Sequence, residues 1–141
     1  CATGTNTQEG VAAFADGATA LSMQISFSLP SDWTVALGLN VKLKWSTSVT
    51  SGSVVWQVAT ACVADGEVDD AAFNTASTVM DAAKGTANQT NDATITSVTV
   101  TGCAAGERLH LKIIRDPAHA SDTLAATANL HEVIPSYWRG I

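Results

Sequence analysis

The densest group of side chains capable of chemistry in this 141-residue chain is acidic, with Asp65, Glu67, Asp69 and Asp70 close together in one stretch. Oxygen-rich loops of this kind suit Ca2+, which takes about six to eight oxygen ligands. The spacing lacks the glycine and the closing glutamate that an EF-hand needs at fixed positions. The set therefore reads first as a solvated turn and second as a weak calcium site, with no other cofactor expected. The three histidines, His110, His119 and His131, form the other conceivable metal set. No Asp, Glu or Cys stands at a telling spacing from them, and structural roles are preferred. Serines are numerous, but there is no Gly-x-Ser-x-Gly elbow and no pair of carboxylates that identifies itself as a glycosidase couple. No residue is assigned as catalytic, and a non-enzymatic protein is expected.

Arg115, Asp116 and Asp122 flank one loop. An arginine ending one strand can take a two-pronged hold on a carboxylate opening the next, so a structural ion pair between Arg115 and Asp122 is expected, with Thr123 capping the turn. Of the four tryptophans, Trp45 and Trp56 lie on alternating apolar faces and are expected in the core. Trp33, just after Pro30, and Trp138, near the end of the chain, are candidates for stacking on a sugar or a protein. Against this, Trp33 also reads as a lid over the end of the fold, the preferred reading. Tyr137, Trp138 and Arg139 are residue types enriched in contact surfaces, and packing of this tail on a neighbour competes evenly with folding back on its own domain. Asn88-Gln89-Thr90 is a formal glycosylation sequon.

The cysteines are Cys1, Cys62 and Cys103. Cys62 and Cys103 pair if their segments meet, while an apolar neighbourhood suits free thiols equally well. Cys1, ahead of a polar stretch, reads either as a lipid-anchored start or as the place where the numbering begins, and the second is preferred. No signal peptide stands at the start of this numbering, where a processed one would be missing in any case.

These residues must be positioned by strands. Leu21, Met23, Ile25, Phe27 and Leu29 alternate with Ser22, Gln24, Ser26 and Ser28, the period-two pattern of a strand with one buried face. Residues 39–45 repeat it, and 54–62 are apolar on both faces, as expected of a central or covered strand. Further strands are expected around 79–80, 93–100, 109–114 and 123–134, with Pro135 as a stop. Asp69 is read as the N-cap of one helical turn through Phe73. About eight strands with almost no helix indicate an all-β, two-sheet antiparallel sandwich of jelly-roll type over 11–134. A flexible arm (1–10) precedes it and a contact tail (135–141) follows. The net charge of −6, without a basic run, argues against nucleic acid, and no apolar stretch approaches the ~20 residues of a membrane span.

Four stretches together resemble the small jelly-roll domains of tailed-phage virion proteins. They are Phe27-x-Leu29-Pro30 with the Leu-x-Val-x-Leu-x-Trp run at 39–45; Ser51-Gly52-Ser53-Val54-Val55-Trp56; Ala64-Asp65-Gly66-Glu67 with Val79-Met80-Asp81; and Gly106-Glu107-Arg108-Leu109 through Arg115-Asp116-Pro117 to Asp122-Thr123-Leu124-Ala125. The likeness spreads over residues 10–134, and the tail beyond Ile134 is outside it. Such a resemblance implies a capsid-decoration or tail-fibre subunit on the virion surface, commonly trimeric, in contact with other virion proteins and with surface glycans. Two other classes stay open: a carbohydrate- or receptor-binding module, and a subunit of an extracellular filament or surface layer whose arm adds to a neighbour's sheet.

Overall fold

The computed structural model describes residues 11–138. The arm at 1–10 with Cys1, and Arg139 of the tail, lie outside the described residues. Eight strands appear in chain order: β1 (Ala12–Phe14), β2 (Leu21–Ser28), β3 (Asn40–Ser46), β4 (Ser53–Val63), β5 (Ser77–Ala82), β6 (Asn91–Ile95), β7 (Arg108–Arg115) and β8 (Ala128–Ser136). They form two antiparallel sheets, ordered β1-β8-β3-β6 and β2-β7-β4-β5. Consecutive strands change sheet at every step except β4 to β5, the wrapping of a jelly roll. The expected fold class is the observed one.

The period-two residues fill the space between the sheets. Val41, Leu43 and Trp45 from β3 face Val54, Trp56 and Val58 from β4 and Leu109, Leu111 and Ile113 from β7, all without solvent exposure. Phe14, Trp56 and Trp45 run through this core in edge-to-face contacts, with ring centroids 5.1 and 6.3 Å apart. The second apolar face of β4 is buried because the β4–β5 connection folds back over the sheet. Asn74 N–H donates to Thr60 O at 2.8 Å, and Lys112 Nζ lies 5.5 Å from the Phe73 ring centroid. That connection holds no helical turn: the Asp69 carboxylate is drawn to Arg108 and His110 across the sheet, so it caps nothing.

Two expected strands differ at their boundaries, and β1 was not expected at all. β1 is too short to show any alternation. The strand expected at 93–100 is β6 at Asn91–Ile95; Asn91 anchors its start, and the chain turns out at Ser97, whose φ is +55°. β8 starts later than expected, because 123–127 wraps Arg115, and it runs through Pro135. Among the described residues, β8 beyond Leu130 has a ladder partner on its β3 side alone, and on the other side a missing N–H is tolerated. A single 3-10 turn, Val35–Leu37, was not anticipated.

Candidate functional site

The most highly organised polar group is built around Arg115, at the end of β7. Its side chain is fully buried, and every donor has an acceptor. Nε and Nη2 grip the two Asp122 oxygens at 3.1 and 2.9 Å; Nη1 donates to Phe14 O and Ala126 O, and Nη2 to Leu124 O. Asp16 adds a carboxylate 3.5 Å away at the surface. Asp122 Oδ2 also accepts the Val55 N–H at 3.0 Å, and Thr123 Oγ1 accepts that of Ser53 at 2.9 Å. Gly52 makes the close approach possible: a Cβ there, already strained by φ +101°, would stand 2.8 Å from Thr123 O. The group joins β1, β4, β7 and the segment leading to β8.

At one end of the sandwich stand two matching turns, Ala64-Asp65-Gly66-Glu67 and Ala104-Ala105-Gly106-Glu107. In each the glycine has positive φ, as the third position of a type II turn demands, and the glutamate reaches back to the first residue's N–H, at 2.9 and 2.8 Å. The Cys62–Cys103 disulfide ties the two turns together, Cα to Cα 5.2 Å. The two cysteines, left open between pairing and free thiols in the sequence, are bonded. Between the turns lies an open cleft of about 680 Å3, lined by Ser28, Asp65, Glu67, Asp69, Glu107 and Arg108 among others. The acidic set does not converge in it. Glu67 closes its own turn and Asp69 pairs with Arg108, while Asp65 and Asp70 are exposed. Among the described residues no group of three or more His, Cys, Asp or Glu side chains is arranged to hold a metal ion.

The histidines are dispersed. His119 Nδ1 accepts the Ser121 N–H within its own loop at 3.1 Å, and His131 Nε2 stands 2.8 Å from Ser46 Oγ. His110 is different: its Nδ1 lies 2.8 Å from Ser26 Oγ, and its Nε2 lies 3.3 Å from Asp69 Oδ1 without hydrogen-bonding geometry. This is a Ser–His–Asp line that sequence reasoning missed, because the three residues come from three separate segments and no local motif joins them. Register is the signal that could have found it, since Ser26 and His110 are direct cross-strand partners. Acyl transfer also needs donors aimed at a developing oxyanion and room above the nucleophile. Ser26 sits mid-strand, and neither it nor His110 lines the cleft. The geometry fits a cross-strand pair that holds β2 on β7.

Trp33 takes the lid position preferred for it, and its candidacy as a stacking residue falls away. It is 1% exposed, and its indole N–H donates to Gly38 O at 3.0 Å, so it closes the end of the sandwich and offers no ring face for stacking. Its edge borders a small apolar recess of about 180 Å3, shared with Phe27, Pro30, Leu39, Pro135 and Tyr137. Tyr137 folds back, its hydroxyl 3.3 Å from Asp32 Oδ1. Trp138 turns outward and is 69% exposed.

Comparisons with protein-family models, with curated proteins and with solved structures find no match to this chain.

Two carboxylates have displaced titrations. Asp81 points inward from β5, where burial pushes its carboxyl above the usual range, against the opposing pull of the Trp45 N–H (2.7 Å) and of Lys84. Lys44, bonded to Asp92 at 3.1 and 3.2 Å, holds that carboxyl below the usual range. The signs differ. Because folded Asp81 keeps its proton to higher pH than the unfolded chain does, its contribution falls as pH rises from the ordinary carboxylate value through the raised one. The contribution of Asp92 is complete above the ordinary value and is lost on acidification through the lowered one. Asp81→Asn retains an acceptor for the indole and removes the desolvated charge. It is expected to be at least as stable as wild type at neutral pH, with a flatter melting profile just above the carboxylate range. An unchanged profile would contradict the burial argument.

Proposed function

We propose that this chain is a non-enzymatic structural or adhesive subunit at the surface of a virus particle, of the capsid-decoration or tail-appendage kind. It acts by subunit association, in threes, and by contact with other virion proteins. A fold alone does not supply a function, so the reading leans on one observation: Trp138, two residues beyond the end of β8, is 69% exposed. Large exposed aromatics of this type form the energetic centres of protein contacts. Supporting it, the arginine, disulfide and paired turns brace the scaffold, which is what a protein working through shape requires.

The test is solution mass by light scattering on the full chain and on Trp138→Ala. A trimer that loses at least tenfold in association on substitution, as expected for loss of ~1.4 kcal/mol or more at a contact centre, supports the reading. A trimer indifferent to the substitution removes Trp138 from the contact. A monomer that binds glycans in a screen replaces the reading with a sugar-binding module.

A further inference from the structure

The four sheet edges are not equally protected. β1 offers three residues. β6 carries the exposed Asp92, held by Lys44. β5 carries Asp81, a half-buried inward-pointing carboxylate of the kind that discourages edge pairing. β2 differs from all three. Its eight residues, Leu21-Ser-Met-Gln-Ile-Ser-Phe-Ser28, hold no charge and no proline, and its register on β7 runs without a bulge.

The hydrogen-bond phase of this edge follows from its neighbours. Leu29 N–H donates to Glu107 O and Gly106 N–H to Leu29 O, a bulge in which Leu29 is a bonded partner of β7. Antiparallel bonding alternates, so the odd residues of β2 bond to β7. On the far side of β7, Asp116 N–H donates to Val55 O, which gives its even residues to β4 and agrees with that phase. Ser22, Gln24, Ser26 and Ser28 therefore direct their backbone N–H and C=O groups away from β7, at an edge that has no ladder partner among the described residues. On the inner face, Met23, Ile25 and Phe27 pack against the core yet remain half-buried.

We infer that β2 is a self-association edge, and that two copies of the chain pair antiparallel through it about a twofold axis at Ile25. That register opposes Gln24 with Ser26 and Ser22 with Ser28 of the second copy. All four even positions of each strand are then bonded. It also sets Ile25 against its own copy, and Met23 against Phe27, at non-bonded positions where side chains lie closest. The three half-buried apolar residues become interior, and two four-stranded sheets join into one. The opposing strands carry no charge to resist the approach. This inference is independent of the virion reading. Threefold association through the tail together with this edge gives a hexamer, and the edge alone gives a dimer.

Gln24→Pro removes an outward N–H while leaving the bonds to β7 intact. The experiment measures the mass of the full chain and of this variant by sedimentation velocity, with near-ultraviolet circular dichroism to verify the fold. The expected result is an even-numbered wild-type assembly whose mass halves in the variant. A second arm does not depend on the proline being tolerated. Ile25→Cys, in a Cys1→Ser background, is oxidised and the links are mapped by mass spectrometry. Facing non-bonded positions lie within disulfide reach, so a link between the two introduced thiols is expected. A monomeric or trimeric wild type, a mass unmoved by a folded Gln24→Pro, or no such link overturns the inference. Loss of the Trp138 effect with the Gln24→Pro halving intact would count against the virion reading alone.

Discussion

Arg115→Met is expected to destabilise the fold by about 3–5 kcal/mol, the usual result of removing one partner from a buried ion pair. For a domain of this length that corresponds to a melting temperature lower by roughly 10–20 °C, read by calorimetry or circular dichroism. The side chain is fully buried and the Asp122 carboxylate is 1% exposed, so neither charge has water to fall back on. Methionine fills most of the volume but leaves Asp122 uncompensated and the carbonyls of Phe14, Ala126 and Leu124 without these donors. A loss below about 1 kcal/mol would mean that solvent reaches the site and that the network is peripheral.

The companion variants separate charge from hydrogen bonding. Asp122→Asn, with its oxygen at the Oδ2 position, keeps the bonds from Arg115 Nε and the Val55 N–H, loses the one from Nη2, and removes the charge opposite Arg115. Its loss should be smaller than that of Arg115→Met, because Asp16 remains 3.5 Å from the guanidinium. The double variant Arg115→Met with Asp122→Leu should recover part of the loss, since a buried pair replaced as a pair is often nearly neutral. Recovery stays incomplete here because most of the arginine's partners are backbone groups. They persist when both side chains are gone.

The sequence made the sandwich legible wherever one face of a strand is buried, since alternation is the direct imprint of that burial. Strands β2, β3, β4 and β7 follow from Leu21 to Phe27, Leu39 to Trp45, Val54 to Cys62 and Leu109 to Ile113. It failed where long-range partners override local pattern. Residues 123–127 carry strand-forming side chains, yet Thr123 and Leu124 both donate to Ser53 O while Leu124 and Ala126 accept from Arg115. Asp69 has the form of an N-cap and instead crosses to Arg108. The Arg115–Asp122 pair was readable because its partners flank a single loop. The Ser26–His110 contact was not, since 84 residues separate them and register alone brings them together. The lid position of Trp33 was the preferred reading, and what the sequence did not carry is the partner that satisfies its indole N–H, Gly38 O.

Removing the disulfide with Cys62→Ala and Cys103→Ala is expected to lower stability by about 4 kcal/mol, through the entropy released to the unfolded chain. The bridge closes a loop of 41 residues, well above the span at which loop closure becomes a large term. The native linker between β6 and β7 has other ties: Val98 N–H to Leu39 O, Thr60 Oγ1 to Thr99 O, and Asn74 Nδ2 to Thr101 O. These predict a particular pattern in hydrogen exchange. If the bridge acts on the unfolded state, protection falls by a common factor across the core strands, and the linker opens no more than the rest. If it acts as a native-state clamp on the two glutamate-closed turns, the loss concentrates at residues 62–67 and 101–107 while the core is unmoved. The first outcome is expected, because each turn is closed by its own glutamate and needs no partner. Bridges of this kind are commonest in oxidising settings, in keeping with the proposed place of work outside a cell. Wild-type protein treated with reductant should therefore melt close to the double variant. A reductant-treated wild type that melts like the untreated protein, with its thiols shown to be free, would remove the bridge from the account of stability.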